Sequence, residues 1–272
     1  MIKRTLLLQF VLFVSAIIIT QKSYSQPDVW CMPAWDCTAE ITLRHQGYTV
    51  SYDIENKIPK WVAYYLVPHR LKKISKRSDD FRPDPWIPLA FSATLQDYKS
   101  SGYDRGHLAP AADMSWSDEV MSESFFLSNM TPQEPSFNRG IWKKLEDEVR
   151  KWAQTYDTLL IVTGPMPGAY KGYIGDGKVA VPVSFYKALM AWQNNVGHGL
   201  ALVIPNEASN QPIAYYALSV DSLESLLSCN LFAALPQPAQ ENAECKIDWA
   251  FWHLQPREAK TSASGSGKKV RK

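Results

Sequence analysis

The sequence predicts a single α+β domain. Several short runs rich in β-branched and aromatic residues are spread along the chain, as expected for strands of a sheet. One longer segment has the apolar spacing of an amphipathic helix. Neither an internal repeat nor a convincing linker interrupts residues 40–255, so residues 26–255 are predicted to form one domain of the 272-residue chain.

Composition sets few limits on function. Apolar residues make up 46% of the chain, which is enough for a sizeable core, and the formal net charge is only +2. Bulk charge therefore indicates no particular partner, and a chain of this balance must gather basic residues on one face to bind a polyanion. The ten Trp and 13 Tyr residues are more typical of a core than of a ligand platform.

The N-terminus has the pattern of a secretory signal. Lys3 and Arg4 precede an apolar run over residues 6–19, and Ser23 and Ser25 supply small residues before a cut after position 25. We expect residues 1–25 to be a cleaved signal peptide, giving a periplasmic or secreted protein without stable membrane association. An uncleaved anchor is the alternative, although the run is short for a span of about 20 residues. A mitochondrial leader would instead be Arg-rich and amphipathic and would lack this continuous apolar run, so the pattern does not predict one.

Four cysteines remain after this signal: Cys31, Cys37, Cys229 and Cys245. An even count in an oxidising compartment suggests two disulfides, with three possible connectivities. The pairs Cys31–Cys37 and Cys229–Cys245 are preferred because each closes a short loop. A zinc site would usually show CxxC-type spacing, which is absent.

The remaining elements follow in chain order. Residues 69–102 are predicted to be irregular because three prolines interrupt them; their five basic residues either steer a polyanion or form a solvated loop. A short helix is predicted over residues 221–228, capped by Asp221 or Ser222, and a disordered basic tail over 256–272. The predicted strands are residues 48–52, 60–67, 159–164, 179–190, 199–205 and 214–220.

The clearest helix is predicted over residues 138–153. Its apolar residues recur at steps of three or four, namely Ile141, Leu145, Val149 and Trp152. At about 100° per residue, Asn138, Glu146 and Arg150 spread over an arc beside that stripe. The helix can therefore bury one flank and present an amide, a carboxylate and a guanidinium along the adjoining flank.

Residues 104–107 (DRGH) and this helix together carry the groups that phosphodiester hydrolysis needs. His107 suits a general base because its pKa normally lies near neutrality. Arg105 offers a bidentate grip on phosphate, Gly106 allows close approach of backbone and substrate, and Asp104 is available to hold Arg105 or a backbone group.

The helix supplies the complementary groups. Asn138 can give a hard cation its amide oxygen, and a single protein ligand plus several waters is how Mg²⁺ is usually held. Glu146 and Arg150 form an i,i+4 pair. Each signal alone has an ordinary explanation: a helix cap for Asn138 and a surface ion pair for Glu146 and Arg150.

The order and spacing of these segments resemble the DNA/RNA non-specific endonuclease family, which includes Serratia-type secreted nucleases and mitochondrial endonuclease G. The likeness spans roughly residues 45–235. It is carried by residues 103–110 (YDRGHLAP), 128–133 (SNMTPQ) and 138–150, with further similarity at 77–82 and 181–187.

The resemblance implies a ββα-metal (His-Me finger) fold, in which a strand pair and a helix hold a cation beside a central mixed or antiparallel sheet flanked by helices. It implies a metal-dependent endonuclease that uses Mg²⁺, with Mn²⁺ as a substitute, and that leaves 5′-phosphates on DNA and RNA. The oligomeric state stays open, a dimer being possible. A non-catalytic nucleic-acid-binding protein of the same fold and a phosphodiesterase for small substrates are the alternatives.

The resemblance also assigns roles to residues. It implies that His107 is the proton acceptor, that Asn138 binds the metal directly and that Glu146 reaches it through water. The full predicted catalytic set is His107, Arg105, Asn129, Glu146 and Arg150, and the substrate-binding set is Arg105, Gln133 and Arg150.

Overall fold

The computed structural model describes residues 29–35 and 40–256. The predicted signal peptide, the Cys31–Cys37 bond and all of the predicted tail beyond Pro256 therefore lie outside the described residues. Among the described helices, none has the length and apolar character to cross a membrane.

Eleven strands are found in the described part of the chain. They are β1 (Glu40–Arg44), β2 (Thr49–Asp53), β3 (Ile58–Leu66), β4 (Asp104–His107), β5 (Met130–Gln133), β6 (Leu159–Pro165), β7 (Tyr170–Ile174), β8 (Val179–Pro182), β9 (Ser184–Gln193), β10 (Val196–Pro205) and β11 (Ala217–Leu218). Seven of them form one antiparallel sheet in the order β1-β2-β3-β6-β9-β10-β11. Two small sheets, β4-β5 and β7-β8, complete the strand pairing.

The described helices are α1 (Leu95–Tyr98), α2 (Asp118–Glu123), α3 (Lys143–Thr155), α4 (Val220–Leu227) and α5 (Gln237–Glu244). Both faces of the large sheet are covered. Along β6, Leu159 and Ile161 join the core that contains α3, whereas Leu160 and Val162 join the core that contains residues of α4 and α5. Successive side chains of a strand point to opposite faces, so one apolar run supplies two cores.

The hairpin β4-β5 and helix α3 form a ββα unit. Asp104 pairs with Gln133 and His107 with Met130 across the hairpin. A π-type turn over Phe137–Trp142 then leads into α3, with non-helical backbone angles at Gly140 (φ −102°, ψ −109°). Asn138 lies in this turn and not in regular helix, so the predicted helical arc does not apply to it.

The structure confirms the predicted strands at 48–52, 60–67, 159–164 and 199–205 to within a few residues. The prediction of a single strand at 179–190 is wrong. This segment forms two strands, β8 and β9, which belong to different sheets. Pro182 has no N–H to continue a ladder, and the Val183 N–H donates to the Ala169 carbonyl.

Two predictions near the C-terminus are also corrected. Residues 214–220 contain only the two-residue β11, because Ile213–Tyr216 forms a 3₁₀ turn. The following helix is capped by Ser219, whose Oγ accepts a hydrogen bond from the Ser222 N–H at 3.2 Å, and not by Asp221 or Ser222.

The predicted Cys229–Cys245 disulfide is not formed. Both residues are free thiols: Cys229 is half-buried after α4, whereas Cys245 is exposed after α5. The short sequence separation was the basis of that prediction. It is not sufficient, because α5 lies between the two cysteines and leaves only one of them against the core.

Candidate active site

A cleft of about 450 Å³ opens between the hairpin, the loop that precedes it and α3. It brings together five of the predicted site residues, which come from distant parts of the chain. Six of its side chains are Lys or Arg, against two carboxylates. The lining residues are Lys73, Arg77, Arg105, His107, Pro110, Ala111, Ala112, Asn138, Arg139, Lys143, Glu146, Asp147 and Arg150.

His107 lies at the end of β4 with its ring between two aromatic side chains. The ring meets Phe125 edge to face at 5.0 Å and Phe81 at 5.7 Å between centroids. Nε2 is enclosed and has no hydrogen-bond partner among the described residues, which leaves Nδ1 as the nitrogen open to the cleft. Burial, reinforced by Arg77 and Arg105, lowers the pKa of His107 to about 3. The imidazole is therefore neutral at pH 7, as a proton acceptor must be.

Asn138 is oriented by the carboxylate of Asp104. Its Nδ2 donates to Asp104 Oδ2 at 2.9 Å, so its carbonyl oxygen Oδ1 is left without a hydrogen bond among the described residues. Arg139 grips the same carboxylate with Nε at 2.9 Å and Nη2 at 2.6 Å. Asp104 therefore holds Arg139 and Asn138, and not Arg105 or a backbone group as the sequence suggested.

Glu146 faces the cleft from the first turn of α3. Burial raises the pKa of its carboxyl group, and the positive charge of Lys187 acts in the opposite direction. Lys187, on β9, is fully buried, with Nζ 4.8 Å from the centroid of the Trp142 ring and no hydrogen-bond partner among the described residues. Burial lowers the pKa of Lys187 to about 8. A buried cation thus favours the ionised form of Glu146.

Arg150 is fixed by two carboxylates. Nη1 donates to Asp113 at 2.8 Å and Nη2 to Asp147 at 2.5 Å. Asp113 is buried and also accepts a hydrogen bond from the Tyr64 hydroxyl at 3.0 Å, and burial raises the pKa of Asp113. Sequence reasoning missed Asp113. Its one signal was a carboxylate within the otherwise apolar and small run 108–114.

Two guanidinium groups stand over the aromatic rings that flank the histidine. Arg105 lies 4.3 Å from the centroid of Phe81, and Arg77 lies 4.8 Å from that of Phe125. Of the two interpretations of the basic loop at 69–102, steering of a polyanion suits Lys73 and Arg77, because both line the cleft. In contrast, Arg82 is engaged by Asp80, Ser122 and the Phe126 ring.

Asn129 is fully buried and does not line the cleft. Its Nδ2 donates to the carbonyls of Ala109 (2.9 Å) and Ser124 (2.8 Å), and its Oδ1 accepts from the Ala109 N–H (2.9 Å). These bonds brace the loop that follows His107. These contacts agree with the positioning role that the resemblance implies for Asn129, and its place in the predicted catalytic set stays a prediction.

Gln133 is also fully buried and lies outside the cleft lining, so its predicted role in substrate binding stays a prediction that this geometry does not support. It packs against Gly106, where an added Cβ would meet Gln133 Cδ at 2.1 Å. Gly106 is therefore needed to make room for a side chain across the hairpin. The predicted close approach of substrate to this glycine is not what the structure requires.

Known proteins share this sequence pattern. A family model described as DNA/RNA non-specific endonuclease matches residues 36–237. The human protein "Nuclease EXOG, mitochondrial" is 33% identical over 221 residues, which cover 75% of this chain and 60% of the relative. "Nuclease C1" of Cunninghamella echinulata is 32% identical over 215 residues, which cover 73% of this chain and 85% of the relative.

Solved structures give the same likeness. A chain in the crystal structure of the EndoG/EndoGI complex matches with a TM-score of 0.69 and 32% identity, covering 74% of this chain and 88% of that chain. The chain spans 60% to 64% of the length of the human and zebrafish EXOG nucleases.

Proposed function

Because the chain belongs to the DNA/RNA non-specific endonuclease family and has the ββα-metal fold within an α+β domain, we propose that it is a secreted, Mg²⁺-dependent endonuclease that cuts DNA and RNA with little sequence specificity. One observation carries the proposal: the His107 ring and the Asn138 amide, whose nitrogen is bound by Asp104, line the same cationic cleft.

The donor groups of the cleft fit Mg²⁺. Asn138 Oδ1 would hold the ion directly, and the Glu146 carboxylate would reach it through water; both are hard oxygen ligands. Asp104 supports this role by binding the amide nitrogen, since such outer partners orient metal ligands. When bound, the ion supplies neutralisation of charge on the phosphoryl oxygens. Mn²⁺ is the expected substitute.

The side chains of the cleft divide the remaining work. His107 accepts a proton at Nδ1 from the water that attacks phosphorus in line, so the neutral ring must carry its own proton on the enclosed Nε2. Arg105 and Arg150 bind the phosphate oxygens and stabilise the charge that develops there. Cleavage of the bond between phosphorus and the 3′ oxygen leaves a 5′-phosphate on one fragment, and the departing 3′ oxygen takes a proton from water to become a 3′-hydroxyl.

Weak sequence specificity follows from the same set of residues. The cationic lining suits the phosphate backbone, which is common to DNA and RNA and carries no base sequence. We propose that both polymers are substrates and that their affinity falls with salt.

The activity test uses plasmid DNA, linear duplex and RNA, each with Mg²⁺ and with EDTA. His107→Ala should cut about 10²–10⁴-fold more slowly, which is the usual contribution of general-base catalysis. The variant should still retard DNA in a gel. His69→Ala is the matched control, because His69 is exposed and does not line the cleft.

Each alternative has its own outcome in this experiment. DNA that is retarded but uncut by the wild-type protein with Mg²⁺ or Mn²⁺ would favour a binding protein. Hydrolysis of a small chromogenic diester without cleavage of polymers would favour the small-substrate phosphodiesterase. A His107→Ala variant as fast as wild type would remove His107 as the base.

Export is a separate part of the proposal. It rests on the signal-like pattern of residues 1–25, whereas several relatives carry the word mitochondrial in their names. Mass spectrometry of the tagged full chain after cell fractionation tests it. We expect a mature N-terminus at Gln26 in the periplasm or medium, and retention of Met1 on a cytoplasmic protein would contradict export.

A further inference from the structure

A second cavity lies at the C-terminal end of the fold, between α4, the turn after it and α5. Its volume is about 490 Å³. None of its lining residues contributes to the cleft that contains His107. The carboxylate and amide side chains that line it are Asp221, Glu224, Asn230, Gln237, Gln240, Glu241 and Glu244.

Three carboxylates of this cavity converge. Asp221, Glu224 and Glu244 each offer an oxygen, and these oxygens all lie within 4.8 Å of one another. Two oxygens bound to one Ca²⁺ at about 2.3–2.6 Å from the ion stand at most roughly 4.6–5.2 Å apart. The spacing therefore permits one Ca²⁺ to touch all three groups.

Unpartnered oxygens on two residues that line the cavity give a second indication. Glu244 is only 4% exposed, yet its Oε1 has no hydrogen-bond partner among the described residues. Asn230 Oδ1 is equally enclosed and unpartnered, while its Nδ2 is tied to Gln240 Oε1 at 2.9 Å. A buried polar atom without a partner is costly, so two of them at one cavity indicate a missing ligand.

The cluster also lacks a cationic side chain as partner among the described residues. In the described part of the chain, none of the three carboxylates takes part in a salt bridge. Glu224 Oε1 accepts a hydrogen bond from the Leu231 N–H at 2.7 Å, which fixes that carboxylate but leaves its charge uncompensated.

We propose that this cavity is a Ca²⁺ site in which Asp221, Glu224 and Glu244 supply carboxylate oxygens and Asn230 supplies its carbonyl oxygen, with water completing the shell. The ligands are all oxygens, and neither His nor Cys belongs to the carboxylate cluster, which disfavours zinc and copper. Mg²⁺ requires shorter contacts of about 2.0–2.1 Å in strict octahedral geometry, which this wide, open set suits less well.

Such an ion would join the two helices that cover one face of the large sheet. Asp221 and Glu224 lie on α4 and Glu244 ends α5, and both helices pack residues into the same core. The site does not depend on the proposed nuclease activity, because stabilisation by Ca²⁺ is independent of turnover at the cleft.

The experiment measures the melting temperature of the full chain in metal-free buffer as CaCl₂ is raised to 5 mM. Sites of this kind bind with dissociation constants of about 10⁻⁴–10⁻³ M, so a rise of about 2–6 °C is expected. Asn138→Ala is measured in parallel because Ca²⁺ can also occupy the catalytic cleft, and the rise should persist in that variant.

Asp221→Asn and Glu244→Gln should each lose most of the rise, and Glu241→Gln, which lines the cavity outside the three-carboxylate cluster, should keep it. Asp221 is exposed, so its variant remains informative if Glu244→Gln fails to fold. No rise in wild type, a rise that vanishes only in Asn138→Ala, or an undiminished rise in Asp221→Asn would overturn the proposal.

Discussion

At the scale of the residue, the candidate site sets its protonation states through burial and neighbouring charge. The pKa of His107 is lowered because a cation would be buried beside Arg77 and Arg105. The pKa of Glu146 is raised by burial, and the charge of Lys187 limits that rise. The site thus keeps a neutral base beside a carboxyl group whose pKa burial raises to about 7.

Lys187→Met tests this balance. Removing the cation raises the pKa of Glu146 further, so the ionised form is lost at a higher pH on acidification. The acidic limb of the kcat/KM profile should move to higher pH, while the buried methionine preserves the packing against Trp142. An unchanged acidic limb, with the fold verified by circular dichroism at each pH, would show that Lys187 does not support Glu146.

Asp104→Ala tests the orientation of the proposed metal ligand. Without the hydrogen bond to Nδ2, the Asn138 amide is free to rotate, so the Mg²⁺ concentration for half-maximal activity should rise about 10–100-fold. A magnesium titration of the cleavage rate measures this change. Asp118→Ala, at an exposed position on α2, is the control, and an equal effect there would refute the role of Asp104.

At the scale of the element, the sequence predicted what depends on local pattern. The strands at 60–67 and 159–164 were found because buried strands are rich in β-formers, and α3 was found from its apolar stripe. β4 and β5 are four residues each and have no such pattern. They were expected only from the family resemblance, since their pairing depends on contacts across 22 or more intervening residues.

Gly106→Ala tests how the hairpin is packed. A Cβ would collide with the Gln133 side chain, so the free energy of unfolding should fall by about 1–3 kcal/mol. Denaturant unfolding of Gly106→Ala, Gln133→Ala and the double variant measures the coupling. The double variant should recover much of the loss, and purely additive effects would show that the two residues do not compete for space.

At the scale of the whole molecule, the site is assembled from segments that no local pattern connects. Arg105, His107 and Asn138 were predicted from motif spacing, and the structure brings them to one cleft. Asp113 and Lys187, which hold Arg150 and face Glu146, were not predicted. A buried charge on a strand or loop can be recognised only when the fold has brought its partners next to it. The burial of Gln133 was not foreseen for the related reason that sequence does not reveal which face of a hairpin is covered.

The distribution of charge across the molecule predicts salt-dependent binding. The net charge is only +2, yet six cationic side chains line one cleft. The dissociation constant of His107→Ala for duplex DNA, measured against NaCl, should rise steeply. Lys73→Ala in that background should lower the log–log slope by about one. Lys246→Ala, at an exposed position outside the cleft, should leave it unchanged, and an equal effect there would contradict a localised binding surface.

The central claim is that a divalent ion held by Asn138 lies beside the imidazole of His107. Paramagnetic broadening by Mn²⁺ of the assigned histidine ring signals tests it without turnover or substrate. The account predicts that substoichiometric Mn²⁺ broadens the His107 signal in the wild-type protein and spares it in Asn138→Ala. An unaffected His107 signal, or equal broadening in both proteins, would contradict the account.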